Sequence, residues 1–260
     1  MTRRIIIRVV LPIFILALAP SDFIAQANKT SPSSAALPKP SVGLTVGTWK
    51  YKDTDVVRPD LTLQSTYSMM VKDDGVAWRV TTTILFPQGP VASELTLEKG
   101  TLILRKESWT HFLHPDQPWK PVAINLEFNA NKVAGTMKYV NDPDKPVMVD
   151  VGGPLFAGPE SWIGCLPLAA AYSTTFRFFD IDRFALNPQA SNTIKLEQLN
   201  VVGMERVTVP AGTFDSYKVE LTSADGSNKE TVWIAKDLRV LVKAHVVSSL
   251  YGDITTEMVP

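Results

Sequence analysis

Residues 205–246 read ERVTVPAGTFDSYKVELTSADGSNKETVWIAKDLRVLVKAHV, and the spacing of their apolar residues decides the fold. Every second residue from Tyr217 to Leu221 is apolar, and the residues between them are charged. The same alternation returns from Val242 to Val246. A period of two is typical of antiparallel strands that bury one face and expose the other. The stretch therefore predicts paired strands on the surface of a hydrophobic core.

The alternating pattern extends towards the N-terminus as far as Leu44. It is clearest in residues 76–84 and in residues 124–128. Short runs rich in Asn, Asp and Gly separate the predicted strands, such as KDDG at residues 72–75. These residue types accept the positive φ angles that tight hairpin turns require. Residues 43–260 are therefore predicted to be mainly β and to form a single domain, while the pattern leaves open whether residues 44–151 form a separate domain or the first half of one sheet.

One segment interrupts the alternation, namely residues 159–172 with the sequence PESWIGCLPLAAAY. Trp162, Cys165 and Leu166 are spaced three to four residues apart, as on one face of a helix. The Pro at its start is compatible with a first helical turn, but Pro167 argues against one long helix. We expect one helix or two short turns that cover the sheet, and we call residues 159–172 the plug.

The N-terminus has the features of a secretory signal. Arginines precede an apolar run at residues 9–19, and Ala-Gln-Ala follows at residues 25–27. We expect residues 1–27 to be a signal peptide cleaved after Ala27, followed by a flexible linker at residues 28–42, which is rich in Ser, Pro and Ala. The apolar run is shorter than the about 20 residues of a spanning helix, so no stable membrane span is expected after cleavage.

Charge and cysteine content narrow the possible partners and the compartment. The 26 Lys and Arg residues balance 26 Asp and Glu residues, which favours neither nucleic acid nor an anionic membrane as partner. The chain has one cysteine, Cys165, so it has no internal disulfide. Export without disulfides fits a bacterial periplasmic or secreted protein.

Several residues are candidates for catalytic or metal-binding groups. His111 and His114 form a HxxH pair without a third ligand in a proline-rich stretch, which favours solvated loop histidines over a zinc site. Cys165 lies in an apolar run, which favours a buried inert thiol over a nucleophile. Asp142 and Asp144 lack the Gly and distal Glu of a calcium loop and predict a polar turn. No catalytic residue, metal or cofactor is predicted.

Large apolar side chains occupy predicted inward positions on the strands and the plug. These residues are Trp78, Phe128, Trp162, Phe176, Phe178 and Trp233. They either fill an ordinary core or line a cavity between the sheet and the plug. A largely apolar cavity with few polar groups is the usual site for a lipid-like ligand.

The C-terminal part resembles a family of exported bacterial domains of unknown function, domain of unknown function 3108. The resemblance rests on VTVPAGTFD at residues 207–215, KVE at 218–220, TVWIA at 231–235 and VK at 242–243, with LPL at 166–168 upstream. Such families are similar in architecture to periplasmic lipoprotein carriers. The resemblance implies a strongly curved antiparallel sheet, an unclosed half-barrel, around a short helical plug. It transfers no ligand-binding residue.

The leading functional hypothesis is a non-enzymatic protein of the bacterial cell envelope. It would bind a hydrophobic, lipid-like ligand or a lipidated partner between the sheet and the plug. The expected lining residues are Trp78, Trp162, Leu166, Phe176, Phe178 and Trp233. The alternative is a protein-interaction module with a solid core that pairs through its exposed sheet edge. A hydrolase acting through Cys165 or the two histidines is the least favoured function.

Overall fold

The fold is seen in a computed structural model that describes residues 37–58, 61–86, 89–111, 121–186, 193–226, 228–248 and 252–260. The predicted signal peptide lies outside these ranges. Eight strands precede the plug: β1 Gly47–Arg58, β2 Leu61–Asp73, β3 Ala77–Phe86, β4 Gly89–Glu98, β5 Leu104–Thr110, β6 Ala123–Phe128, β7 Lys132–Lys138 and β8 Lys145–Asp150. Six strands and one helix follow it: β9 Ser173–Phe179, α1 Ile181–Leu186, β10 Ile194–Val209, β11 Gly212–Ser223, β12 Asn228–Ala235, β13 Leu241–Ser248 and β14 Gly252–Val259.

All fourteen strands belong to one antiparallel sheet that is not closed by strand pairing. The order is β8-β7-β6-β5-β4-β3-β2-β1-β14-β13-β12-β11-β10-β9. Consecutive strands are neighbours in the sheet except β8 and β9, which form its two edges, and β1 pairs with β14 in the middle. The sheet confirms the predicted mainly β fold and the predicted curved, open architecture.

The inner face of the sheet carries the hydrophobic core. Tyr51 on β1, Val219 on β11 and Val232 on β12 are fully buried there. Their neighbours along each strand point outwards and are more exposed, as the alternating sequence predicts. Residues that lie directly opposite each other on paired strands share a face of the sheet. The pairing register therefore shows which residues of the other strands lie on the inner face.

The two edges of the sheet are joined by the segment that follows β8. The Phe156 N–H donates to the Arg177 carbonyl on β9 at 2.9 Å, so residue 156 forms a short parallel bridge with that strand. The Arg177 guanidinium donates to the carbonyl oxygens of Val151 and Gly152, the latter at 3.3 Å. These bonds connect the β8 side of the sheet to the β9 edge without a closed ladder of strands.

The plug consists of two single 3-10 turns, Pro159–Ser161 and Ile163–Cys165, followed by non-helical backbone. Of the two forms that the sequence allowed, the two short turns are therefore correct. The extended backbone of Leu166 before Pro167 ends the second turn. The only α-helix in the described ranges, α1, was not predicted, because six residues carry too little helical periodicity to be read.

Part of the predicted linker is bound to the domain. The backbone N–H groups of Ser41 and Val42 donate to the Cys165 carbonyl at 2.8 and 3.2 Å, and Pro38 is buried. Thr45 Oγ1 donates to the Leu238 carbonyl at 2.7 Å. The prediction of a flexible linker is therefore wrong for residues 37–42. This stretch is held against the domain by hydrogen bonds from Ser41 and Val42 to the plug.

None of the helices in the ranges given above is long and apolar enough to cross a membrane.

Candidate functional site

The interior of the sheet has two halves, the plug end and the far end, defined by the end of the strands at which each lies. At the plug end, the turn between β12 and β13 contacts the plug: Arg239 Nη1 donates to the Leu166 carbonyl at 3.3 Å. The far end is the opposite one, where β1 and β13 end and β2 and β14 begin. The two ends differ in how completely the inner face is covered.

Aromatic side chains fill the interior around the plug. Trp162 is fully buried, and its Nε1 donates to the Ala157 carbonyl at 2.9 Å. Its ring centroid lies 5.1 Å from that of Phe156 and 4.9 Å from that of Phe176, in tilted and edge-on contacts. Leu166 is also fully buried. These side chains contact one another and form a packed floor rather than the lining of an empty space.

The space beside the plug is small. It has a volume of about 20 Å³ and is bordered by Trp49, Glu160, Gly164 and Arg239, among others. A volume of that size holds about one water molecule. A lipid-like ligand therefore does not fit at this place with the plug in its present position.

Towards the far end, the inner face is only partly covered. Leu63 pairs directly with Asp55 and follows the inner-face parity of Met69, yet its side chain is 46% exposed. Four more apolar or aromatic side chains at inner positions of this half are only half-buried: Tyr67, Ile84, Val246 and Ile254. The inner face thus presents accessible apolar surface beyond the plug.

Carboxyl groups lie where the plug meets this accessible half. Glu160 on the plug is hydrogen-bonded side chain to side chain with Glu230 on β12. Glu197 on β10 is close enough to both to interact electrostatically. Glu197 and Glu230 are only 1% and 3% exposed. On β1, Asp53 accepts a hydrogen bond from Thr256 Oγ1 at 2.6 Å. We call Glu160, Glu197 and Glu230 the interior carboxyl cluster.

Burial changes the acidity of this cluster. It raises the pKa of Glu197 to about 7, and the neighbouring Glu160 charge adds to the rise. It also raises the pKa of Glu160, and raises that of Glu230 well above the usual range, with Glu160 as the next cause. A hydrogen bond between two carboxyl groups requires a proton on one of them. The pair Glu160–Glu230 is therefore protonated at least once at neutral pH.

Several acceptor atoms in this region have no partner within the described part of the chain. They are Glu197 Oε2, Glu230 Oε1 and Asn228 Oδ1. Leaving a buried polar atom unpaired costs about 1–3 kcal/mol. All three are oxygens, so when the carboxyl groups are ionised, the group that would satisfy them is a hydrogen-bond donor.

The six predicted lining residues fall into three places. Trp162, Leu166 and Phe176 form the packed floor, and Phe178 borders it, with its ring 6.3 Å from Phe176. Trp78 lies at the plug end, where it lines a separate groove of about 290 Å³ with residues 40–43. The structure does not bring Trp78 together with the floor.

The prediction that Trp233 points inwards is wrong. Val232 and Ile234 on either side of it are buried on the inner face, so Trp233 points outwards. There its Nε1 donates to the Glu205 carboxylate, and the Lys218 and Lys243 ammonium groups lie 5.7 and 5.9 Å from its ring centroid. The buried neighbours, rather than the size of the indole, set the parity of this strand.

The candidate catalytic and metal-binding residues that the structure describes lie in separate places. His111 stacks on Trp109 at 5.1 Å, and His114 lies outside the described residues. Cys165 is buried, and burial raises the pKa of its thiol to about 12, as expected for an inert thiol. Asp142 and Asp144 lie in the exposed turn after β7. Within the part of the chain that the structure describes, no three His, Cys, Asp or Glu residues are placed to hold a metal ion.

The interior carboxyl cluster was not predicted, although the sequence carries a signal for two of its residues. Glu230 has the same parity as Val232 and Ile234, and Glu197 has the same parity as Leu199. A carboxyl residue in phase with the apolar positions of a strand is predicted to point inwards. No comparable signal exists for Glu160, because the plug has no regular period.

The chain belongs to a family of unknown function. The family model described as "Protein of unknown function (DUF3108)" matches residues 116–259, more than half of the chain. This match confirms the resemblance seen in the C-terminal motifs. No curated protein sequence matches the chain.

One solved structure shares the fold at low sequence identity. The chain is similar to the β-barrel-like protein of domain of unknown function DUF1849 from Brucella abortus, with a TM-score of 0.51 and 10% identity over 86% of this chain and 97% of that one. A protein with a YmcC-like fold from Bacteroides fragilis NCTC 9343 aligns over 83% of this chain and 96% of its own, with 10% identity and a TM-score of 0.28. At this identity the first likeness supports the fold alone, and the second carries no argument.

Proposed function

We propose that this protein is an exported, non-enzymatic protein of the bacterial cell envelope that binds an apolar, lipid-like ligand on the far half of its inner face. The observation that carries the proposal is the accessibility of inner-face apolar side chains there, above all Leu63 at 46% exposure. Accessible apolar surface on the concave face of a sheet is the usual basis of such binding. Export rests on the signal-peptide pattern of residues 1–27.

In this proposal the plug is the floor of the site and not its wall. Trp162, Phe156 and Phe176 are packed against one another, so a ligand that took their place would have to expose them. The residues that would contact the ligand are those of the accessible half, Leu63, Tyr67 and Ile84. The predicted position between sheet and plug is thereby shifted along the strands, away from the aromatic floor.

Two leucines provide a matched test of this position. Leu63 lies on the inner face at 46% exposure, and Leu85 lies on the outer face of β3 at 64% exposure, paired with Thr66. Both Leu→Gln substitutions change an exposed side chain in the same way, so neither is expected to alter folding strongly. Only Leu63→Gln places an amide on the proposed binding surface.

The binding measurement uses N-phenyl-1-naphthylamine, a neutral apolar fluorophore, titrated into detergent-free protein. We expect Leu63→Gln to weaken the affinity for the fluorophore several-fold and Leu85→Gln to leave it unchanged, with both melting temperatures close to that of the parent chain. Native mass spectrometry of protein purified from the periplasm should also show an added mass that organic extraction removes. A bare mass together with identical titrations for both variants would contradict the proposal and favour the protein-interaction module.

A further inference from the structure

We propose that the interior carboxyl cluster of Glu160, Glu197 and Glu230 binds the cationic head group, an ammonium or guanidinium, of the ligand. This inference rests on the proposed function and names the class of its ligand, a cationic amphiphile. It starts from three carboxyl groups contributed by the plug, β10 and β12, which interact with one another. Glu197 and Glu230 are buried, and Glu160 is partly buried.

The charges around the cluster leave it short of positive charge. Lys195, two residues before Glu197 and on the same face of β10, interacts electrostatically with Glu197, but its ammonium forms an ion pair with Asp225 at 2.9 Å. On β1, Asp53 adds a further carboxyl group that interacts with Glu160. Arg239 at the plug end donates to the Leu166 carbonyl and lies over the Tyr217 ring, 5.2 Å from its centroid. Three neighbouring carboxyl groups outnumber the Lys195 ammonium that interacts with Glu197, and buried carboxylates in excess of their cationic partners are costly, so a further cation supplied by a ligand would stabilise the site.

Hydrogen bonding points to the same kind of ligand. Glu197 Oε2, Glu230 Oε1 and Asn228 Oδ1 are acceptors without a partner in the described part of the chain. An ammonium group carries three N–H donors and a guanidinium carries five, and neither carries an acceptor. Such a group matches acceptors that a carboxylic acid or an alcohol would satisfy only in part.

The geometry favours a group with spread-out donors over a compact metal ion. Among the described residues, no three carboxyl or imidazole groups converge closely enough to coordinate one ion. N–H donors reach acceptors about 2.9 Å away in several directions, so the oxygens need not share a single centre.

The apolar part of the ligand has a surface next to the cluster. Val246 pairs directly with Glu230 across β12 and β13, and Ile254 pairs with Val246 in turn. Both are half-buried inner-face residues of the accessible half. A head group at the cluster would therefore place its alkyl chain along this apolar surface towards the far end.

Binding of a cation would also move protons. Without a ligand, raised pKa values keep the cluster partly protonated near neutral pH. An ammonium ion favours the carboxylates, so its entry would release protons to the solvent and leave the charge of the site nearly unchanged. The number released per bound ligand is measurable by calorimetry in two buffers of different ionisation enthalpy.

The test compares three ligands of one chain length at pH 7.5, below their micelle concentrations: dodecylamine, dodecanol and dodecanoate. We expect dodecylamine to bind the parent protein at least tenfold more tightly than dodecanol and to release protons, with dodecanoate weakest. Glu197→Gln and Glu230→Gln should each reduce the amine preference several-fold and leave dodecanol binding unchanged. Glu205→Gln, on the outer face, is the control and should change neither.

The outcomes separate this inference from the function on which it rests. Equal affinity for the amine and the alcohol, with no proton release, would overturn the cationic site while leaving apolar binding in place. Absence of binding by all three ligands would contradict both. Dodecanol affinity measured on each variant also reports whether that variant is folded, so a misfolded glutamine variant is not mistaken for a lost site.

Discussion

At the scale of single residues, Glu197 couples folding to pH. Burial raises the pKa of Glu197 from 4.5 to about 7, so between these values the unfolded chain has lost a proton that the folded chain keeps. Stability therefore falls as pH rises through this window, by an amount on the order of 3 kcal/mol from this residue alone. Below pH 4.5 both states hold the proton, and the penalty vanishes.

Glu197→Gln should flatten this dependence, because glutamine has no proton to lose. We expect urea midpoints of the variant to change less between pH 5 and pH 7.5 than those of the parent chain. Glu127→Gln is the control: the Lys106 ammonium lowers the pKa of that exposed carboxyl, so its effect lies below the window. An unchanged slope in the Glu197 variant would show that this carboxyl ionises freely in the folded protein.

The two tryptophans that the sequence treated alike should differ in their effect on stability. Trp162 is fully buried within the aromatic floor, so Trp162→Ala leaves a large hole and should cost about 3–5 kcal/mol. Trp233 is only half-buried on the outer face, and Trp233→Ala should cost clearly less. Chemical denaturation with a constant m-value measures both. Comparable losses would contradict the outward placement of Trp233.

At the scale of elements, close backbone packing fixes the plug against the β12–β13 turn. A Cβ on Gly164 would lie 1.9 Å from the Arg239 carbonyl oxygen, which is backbone and cannot move aside alone. Gly164→Ala should therefore displace the plug and lower the free energy of unfolding by about 1–3 kcal/mol.

Gly203 provides a control of the same chemistry. A Cβ there meets no atom within 4 Å, and its backbone needs no positive φ. Gly203→Ala should change stability by less than about 0.5 kcal/mol, measured in the same denaturation series. A result in which the two variants are equally stable would mean that the plug does not depend on this contact.

The strands could be predicted from sequence where alternation is regular, but the outward face of Trp233 was not, although β12 alternates regularly from Glu230 to Ile234. In Ile124–Phe128 and Tyr217–Leu221 the apolar residues are all buried, as their period requires. The pairing of β10 with β11 shifts register between Val201 and Gly203. The residue types around this position do not predict such a shift. The interior carboxyl cluster was not predicted, because only apolar side chains were considered for the inner positions, although the parity of Glu197 and Glu230 matches the core.

At the scale of the whole molecule, the first and last strands pair with each other in one sheet. β1 and β14 pair in the middle of the sheet, with Tyr51 opposite Met258 and both buried. The family match covers residues 116–259, so β1–β5 lie before the matched region yet continue its sheet. The central pair, β1 and β14, is the strand pair most distant in sequence. The two halves become one sheet only when these two strands pair, and such non-local pairing is slow to form.

The last feature at this scale is the join between the two sheet edges, which depends on Arg177. Its guanidinium donates to the carbonyls of Val151 and Gly152, and its own carbonyl accepts from the Phe156 N–H. Arg177→Met keeps the length of the side chain and removes the donors, so the edges should separate locally more often. We expect amide hydrogen exchange at Val151 and Phe156 to accelerate about tenfold, while amides of β1 and β14 keep their rates.

Arg79→Met is the matched control for that experiment, because Arg79 forms only exposed ion pairs with Asp74 and Glu94 on the surface. Its removal should leave exchange at Val151 and Phe156 unchanged, since exposed pairs contribute little to stability. Acceleration at every strand in the Arg177 variant would indicate global destabilisation instead of a local join. Unchanged exchange at both amides would show that the loop backbone alone holds the edges together, with Phe156 as its anchor.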